Sequence, residues 1–408
     1  MKVHSAILLA SFAISLTVTA SENWTRFRGP TGTGQHTGKA LPTQWGPEHI
    51  AWRVELKGEG HSSPINWDQR IFLTAATDKG RNRIVSALDA RDGHLLWEKT
   101  IPCEAPEKVH AMNSHATATC AADGERVVAY FGHAGIHCFD LEGKPLWSQS
   151  LGAFSGPWGT SASPVFNGDS VIQNCDTQGE SSLVALDRKT GTVLWRTSRG
   201  QKPMGGWSTP IQIESSNHSE LVINSEQGVD AYDPLTGKAL WSCAGFNGRG
   251  EPAPVFAHDL LFLVNGKAGD VYAVRPGGTG DVSQTHRAWH TPRPKVRDIS
   301  SPIVVGDFLF AIDMKGSAAT YDAASGKLLW TERIPGAFSA SPVASAGLIY
   351  LNNEAGETLV IRPGAKLEIV ARNSIGDHPG ELFRASIAPI DGRIYLRSNR
   401  ALYCVSRG

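Results

Sequence analysis

One eleven-residue segment returns along this chain, and its return restricts the fold more than any other feature. It reads Ala185-Leu-Asp-Arg-Lys-Thr-Gly-Thr-Val-Leu-Trp195. Nearly the same pattern stands at Ala87–Trp97, Ala231–Trp241 and Thr320–Trp330, and one residue shorter at Cys138–Trp147. Apolar side chains at Val184, Leu186, Val193 and Trp195 flank the turn formers Asp187 to Gly191. Two short strands joined by a tight hairpin fit this pattern, because Gly191 is free to take φ > 0 and Asp187 can accept backbone N–H groups across the turn.

The Trp residues that close the units recur at roughly 40- to 50-residue intervals, from Trp52 to Trp330, a period that calls for a propeller or a solenoid. Each unit opens on small residues. The starts are Ser62-Ser-Pro64, Ala116-Thr-Ala118, Ala162-Ser-Pro164, Ser208-Thr-Pro210, Pro252-Ala-Pro254, Ser300-Ser-Pro302, Ala340-Ser-Pro342 and Ala385-Ser-Ile387. Four strands per period with no helical periodicity select the propeller. The last unit supplies only three strands, whereas Ile50–Leu56 is an outer-type strand with no predecessors. Pairing these two ends closes the ring and removes two exposed edges. The expectation is an all-β, eight-bladed β-propeller of four-stranded antiparallel blades over residues 45–408, preceded by an extended arm, 21–44, lying on the domain and anchored by Trp24 and Phe27. The recurring Trp residues then act as clamps between blades.

The chain has 408 residues, 19% of them charged, with a formal net charge of zero. A neutral chain argues against a nucleic-acid binder, which needs a basic face; Arg293, Lys295 and Arg297 form only a local cluster. Lys2, the apolar run Ala6 to Val18 and the short side chains of Val18-Thr-Ala20 read as an export signal, residues 1–20, cleaved near Ala20. That run is too short for a membrane span and no later one is apolar enough. With no Cys beside the cleavage position, a lipid anchor is not indicated. A soluble, secreted or periplasmic monomer is expected. The six Cys residues permit disulfides without fixing them; in apolar runs, buried free thiols are the simpler expectation.

The eleven-residue segments resemble the tryptophan-docking motifs, A-x-D-x-x-x-G-x-x-x-W, of the pyrroloquinoline quinone (PQQ) dehydrogenase superfamily. Trp24-Thr-Arg-Phe-Arg-Gly-Pro30, Asn113–Thr117, Tyr130-Phe-Gly132 and Trp158–Ser161 are similar to secreted bacterial PQQ-binding-like β-propeller repeat proteins. That family also resembles the eight-bladed outer-membrane assembly factor, a non-catalytic periplasmic partner. The resemblance implies a fold before an activity. The alcohol-oxidising members use PQQ, a calcium ion held by carboxylate and amide groups, an Asp base and commonly an adjacent Cys pair. No two Cys residues are adjacent here, and neither calcium ligands nor a base can be placed by motif.

Propeller sites gather at the channel mouth, on loops leading into the innermost strands. Aligning the eight starts places His61, His115, Ser161, Trp207, Glu251, Ile299, Ser339 and Arg384 in one ring, with Asn113, Trp158, Arg249 and Arg297 slightly earlier in their loops. His61 and His115, in adjacent blades, have the chemistry to share a metal or move a proton. Asn174, Asp176 and Glu226 are the weak metal candidates, as hard oxygen ligands suited to calcium. Trp207 with Arg249, Glu251 and Arg384 makes an amphipathic pocket for a polar organic ligand or peptide. No nucleophile elbow, zinc-binding helix motif or phosphate loop occurs. The leading expectation is therefore an exported, non-catalytic binding or scaffold protein for a protein, peptide or small polar ligand at the mouth. The alternative is a PQQ- and calcium-dependent alcohol or sugar dehydrogenase.

Overall fold

The computed structural model describes residues 23–200, 205–215, 218–293, 297 and 299–406; the expected export signal lies outside them. Among the described residues the strands form eight sheets, each built on four antiparallel strands that follow chain order in every blade but the last. Blade 1 spans 65–102, blade 2 121–149, blade 3 165–200, blade 4 211–244, blade 5 255–291, blade 6 303–333 and blade 7 343–373. Blade 8 combines 388–405 with Ile50–Glu55, which pairs antiparallel to Ala401–Val405. The eight-bladed ring and its closure by the front of the chain are as the sequence pattern predicts.

Blade 3 explains why these residues form these strands. Ser170–Asn174 is buried throughout, because a strand packed between two neighbouring blades has no solvent face. Val193–Gly200, the outer strand, alternates half-buried with exposed residues. At the hairpin, Asp187 Oδ1 accepts the N–H groups of Lys189 and Thr190, and Gly191 takes φ +73°. The register shifts between Ala185 and Leu186, opposite the residue before Trp195. The same bulge recurs in blades 1, 4, 5, 6 and 7, so it belongs to the repeat and aims each Trp sideways.

Each of these indoles meets the next blade. Trp97 Nε1 donates to Leu141 O at 2.8 Å, Trp147 to Arg188 O at 2.9 Å, and Trp289 to Ala323 O at 3.0 Å. The hairpin glycine of that next blade lies flat against the ring: a Cβ on Gly143 would stand 2.6 Å from Trp97, and one on Gly191 2.6 Å from Trp147. The junction between blades 4 and 5 departs from this. Blade 5 has a longer hairpin, and its Gly280–Asp281 adds a parallel fifth strand beside Trp241–Ser242. Trp241 is fully enclosed and turns its N–H inward to Glu220 Oε2 at 2.9 Å.

The arm does not rest on the outside of the domain. Residues 23–36 cross the channel along its innermost strands. Trp24 exchanges backbone and side-chain hydrogen bonds with Asn66 in blade 1, Thr25 O accepts from Ala122 in blade 2, and Gln35–His36 pairs parallel to the innermost strand of blade 7. Arg28 (1% exposed) donates to Ser301 O and Pro302 O beside blade 6, and to Gly32 O and Thr33 O of the arm itself. Trp24 is buried as expected; Phe27 instead faces the channel. All six cysteines are unbonded, five of them buried, in keeping with the free-thiol expectation.

Candidate functional site: the channel mouth

Above the arm, the innermost strands of the eight blades are tied to one another by hydroxyls. Ser63 N donates to Thr119 Oγ1, Thr119 N to Ser163 Oγ, and Ser163 N to Thr209 Oγ1. The ring resumes with Ala253 N to Ser301 Oγ, Ser301 N to Ser341 Oγ, Ser341 N to Ser386 Oγ, and Ser386 N back to Ser63 Oγ. The bonds measure 2.9–3.2 Å. The one missing link runs from Thr209 to Ala253, which has no hydroxyl. It falls at the blade 4–5 junction, where the outer rim is irregular too.

This ring corrects one alignment. The hydroxyl of blade 2 is Thr119 and not Thr117, so that blade starts at Ala118-Thr119-Cys120 and its mouth residue is Thr117. Ala116-Thr-Ala118 and Ala118-Thr119-Cys120 overlap and look alike; only the hydrogen bond to Ser63 chooses between them. His115 is accordingly displaced from the mouth. Its ring lies against Gly80, and its Nε2 meets Glu107 O at 3.0 Å. It lines a neighbouring groove of about 490 Å³, whose wall His61, Asn113 and Arg384 also join, and it does not line the mouth cavity.

The corrected ring, His61, Thr117, Ser161, Trp207, Glu251, Ile299, Ser339 and Arg384, lines one cavity of about 210 Å³ together with the seven hydroxyls. Phe27 of the arm lines it too, beside Met112, Asn113, Pro252 and Ser300. His61 is uncharged at neutral pH: burial first, then Arg384 and Arg397, hold its pKa down to about 3. Arg384 is fixed by Glu354, at 3.2 Å from Nε, and by Ala111 O. Ser339 donates to the same Glu354 carboxylate. Trp207 Nε1 donates to Gly159 O at 3.0 Å, and Asn113 Nδ2 to Trp158 O at 3.0 Å.

Trp158 and Arg249 stand behind this wall. The Arg249 guanidinium lies 5.1 Å from the Trp158 ring centre and 3.8 Å from Glu251 Oε1, while His110 packs on the same indole with ring centres 4.2 Å apart. Arg297 is exposed and does not line the cavity; its N–H donates to Asp313 Oδ2. The proposed oxygen ligands do not converge on a cation. Asn174 Nδ2 donates to Ser208 O, while Asp176 is buried against Arg199, whose Nε lies 2.9 and 3.1 Å from the two carboxylate oxygens. Burial pushes the Asp176 pKa up, against the pull of that Arg. Glu226 lines a separate cavity with Arg199.

Two further charges sit just outside the cavity wall. Arg28 and Arg397 are each 1% exposed and bonded only to backbone carbonyls and the Ser62 hydroxyl. Among the described residues no carboxylate pairs with either. Burial lowers both pKa values to about 9, so both remain charged at neutral pH. Among the described residues the donor set does not fit calcium: the mouth offers one lining carboxylate, Glu251, already facing Arg249, with two uncompensated guanidiniums close by. Among the described residues, no hydrogen bond joins His61 to a lining hydroxyl, so no nucleophile and base are paired.

Comparison with known proteins can now be set beside this geometry. The family model described as "Outer membrane protein assembly factor BamB" matches at residues 43–132, 81–250 and 136–365. The chain belongs to that family. Over 296 residues it is 24% identical to the outer membrane protein assembly factor BamB of Moranella endobia, covering 71% of this chain and 61% of that protein's length. The BamB structure from Moraxella catarrhalis superposes with a TM-score of 0.62 at 14% identity, over 87% of this chain and 98% of the other. The quinohemoprotein alcohol dehydrogenase of Comamonas testosteroni superposes at 0.66 and 12% identity, over 96% and 82%. At these identities the two structures establish the shared propeller fold. Among the described residues no helix is long and apolar enough to cross a membrane.

Proposed function

We propose that this chain is an exported, non-catalytic binding or scaffold protein that engages a protein, peptide or small polar ligand at the channel mouth. One observation carries the reading. Eight structurally equivalent positions hold seven different residue types, and all eight line one cavity. At the outer rim, by contrast, seven of the eight blades repeat the same Trp, and only blade 7 differs, with Ala371 at that position. Repetition follows packing, and diversity at equivalent positions follows recognition. Membership in a family described as an outer-membrane assembly factor supports a scaffold role and an exported location.

The mouth itself favours binding over turnover. Its imidazole is uncharged, its Arg384 is held by Glu354, and among the described residues no nucleophile is paired with a base. The alternative, quinone-dependent oxidation, is disfavoured by the donor set. The test has two arms. Trp207→Ala combined with Arg384→Gln is expected to abolish capture of whatever the native protein retains from its own exported fraction; unchanged capture contradicts the mouth reading. Incubation with PQQ and calcium is expected to give no dye reduction with alcohols or sugars; turnover contradicts the non-catalytic reading.

A further inference from the structure

Each of the seven ring hydroxyls accepts an N–H from the preceding blade, which leaves its own proton to donate. Among the described residues none of the seven donates to a protein acceptor, and all seven line the same cavity. The Ser300 hydroxyl is an eighth case. That residue is 7% exposed, lines the cavity, and its buried Oγ has no partner among the described residues. A buried hydroxyl without a partner is costly, so an arrangement of donors around one small space points to an acceptor that fills it.

The sign of that acceptor is decided by charge. Facing the cavity are Glu251 and Arg384, each opposite a partner of the other sign, Arg249 and Glu354. Close to the wall, Arg28 and Arg397 are uncompensated. Arg28 holds the carbonyl of Ser301, whose hydroxyl is in the ring, and Arg397 holds the carbonyl of Ser62, next to Ser63. Among the described residues the local sum is two positive charges in a region poor in solvent, where electrostatic attraction is strong. A cation is repelled there, and a neutral polyol leaves the charge unanswered.

We propose that the mouth cavity is a carboxylate site, taking a small organic acid or the C-terminal carboxylate of a peptide. The carboxylate accepts from Ser300 and the ring hydroxyls, and its organic body lies between Phe27 and Trp207. This assignment rests on the mouth being the binding site, as argued above.

Calorimetric titration of the native protein with benzoate and with benzamide tests it. Benzoate is expected to bind at least tenfold more tightly than benzamide. Ser300→Ala should weaken benzoate several-fold, and Ser300→Asp, which places a negative charge among the donors, should abolish its binding, with the melting temperature of both variants close to native. N-acetyl-Gly-Phe as free acid and as amide identifies the source: tighter binding of the acid than of benzoate points to a peptide C-terminus, and weaker binding to a free small acid. Equal binding of benzoate and benzamide, both lost in Trp207→Ala, overturns the carboxylate assignment and leaves the mouth reading standing. Binding of benzoate that survives both Ser300→Asp and Trp207→Ala overturns the two together.

Discussion

The outer rim and the inner mouth of this propeller are built from the same eight repeats and obey opposite rules. At the rim, Trp97, Trp147 and Trp289 each donate to the next hairpin and cover its glycine. At the mouth, the residues two positions before the ring hydroxyls change from blade to blade: imidazole, hydroxyl, indole, carboxylate, alkyl, guanidinium. The ring of hydroxyls between them repeats nearly as faithfully as the rim. The lesson is that this molecule holds its blades together at two radii and leaves the level just above the inner one free to differ. The junction of blades 4 and 5, where Trp241 turns inward, lacks the hydroxyl link and carries an added strand, whereas blade 7, with Ala371 in place of the rim Trp, keeps its hydroxyl link to blade 8.

The largest effect expected from this contrast is at the rim. Trp97 packs between Phe72 and Phe139 of successive blades, at 6.0 and 5.9 Å between ring centres. Trp97→Ala should cost roughly 3–4 kcal/mol in urea unfolding, while binding per folded molecule stays native. A loss below about 1 kcal/mol would break the claim that the rim is structural.

A smaller effect is expected from His61. Its folded pKa of about 3 lies below its unfolded value near 6.5. Between those values the unfolded chain binds a proton that the native mouth refuses, so this residue's contribution is intact above about pH 6.5 and falls as the pH drops through the window. The slope is up to roughly 1.4 kcal/mol per pH unit. His61→Gln should flatten the decline in stability between pH 7 and pH 5; an unchanged slope would place the imidazole in a wetter site than this one.

The smallest effect is a gain. Ala253→Ser would supply the missing hydroxyl for Thr209 N and complete the ring, raising stability by about 0.5–1.5 kcal/mol. Destabilisation by the same substitution would show that the gap at blades 4 and 5 is required by their packing.

The fold was legible because its signals are local and repeated: a hairpin of turn residues, a Trp, a small-residue start, and a stranded outer strand at the front awaiting a partner at the end. Most of the mouth ring was legible for the same reason. The exceptions have physical causes. His115 entered the ring through an overlap of two similar tripeptides, which only a bond from the adjacent blade resolves. The arm is aperiodic, and Arg28 is held by backbone carbonyls, which carry no side-chain signature. Glu354, which positions Arg384 and Ser339, lies in the loop between the second and third strands of blade 7 and has no motif. The serines and threonines of the starts were visible as small residues, but their second role, linking blades, exists only once the ring has closed. Asp176 illustrates the reverse: its residue type suits a metal, and the fold gives it Arg199 instead.

The most direct test of the contrast between rim and mouth places the same photo-crosslinker at both. p-Benzoylphenylalanine replaces Ser339 in the mouth in one sample, and in the other it replaces Leu194, which is 52% exposed on an outer strand. The account predicts an adduct with the native ligand or partner from position 339 that disappears with Trp207→Ala, and none from position 194. Adducts from position 194 alone would contradict it.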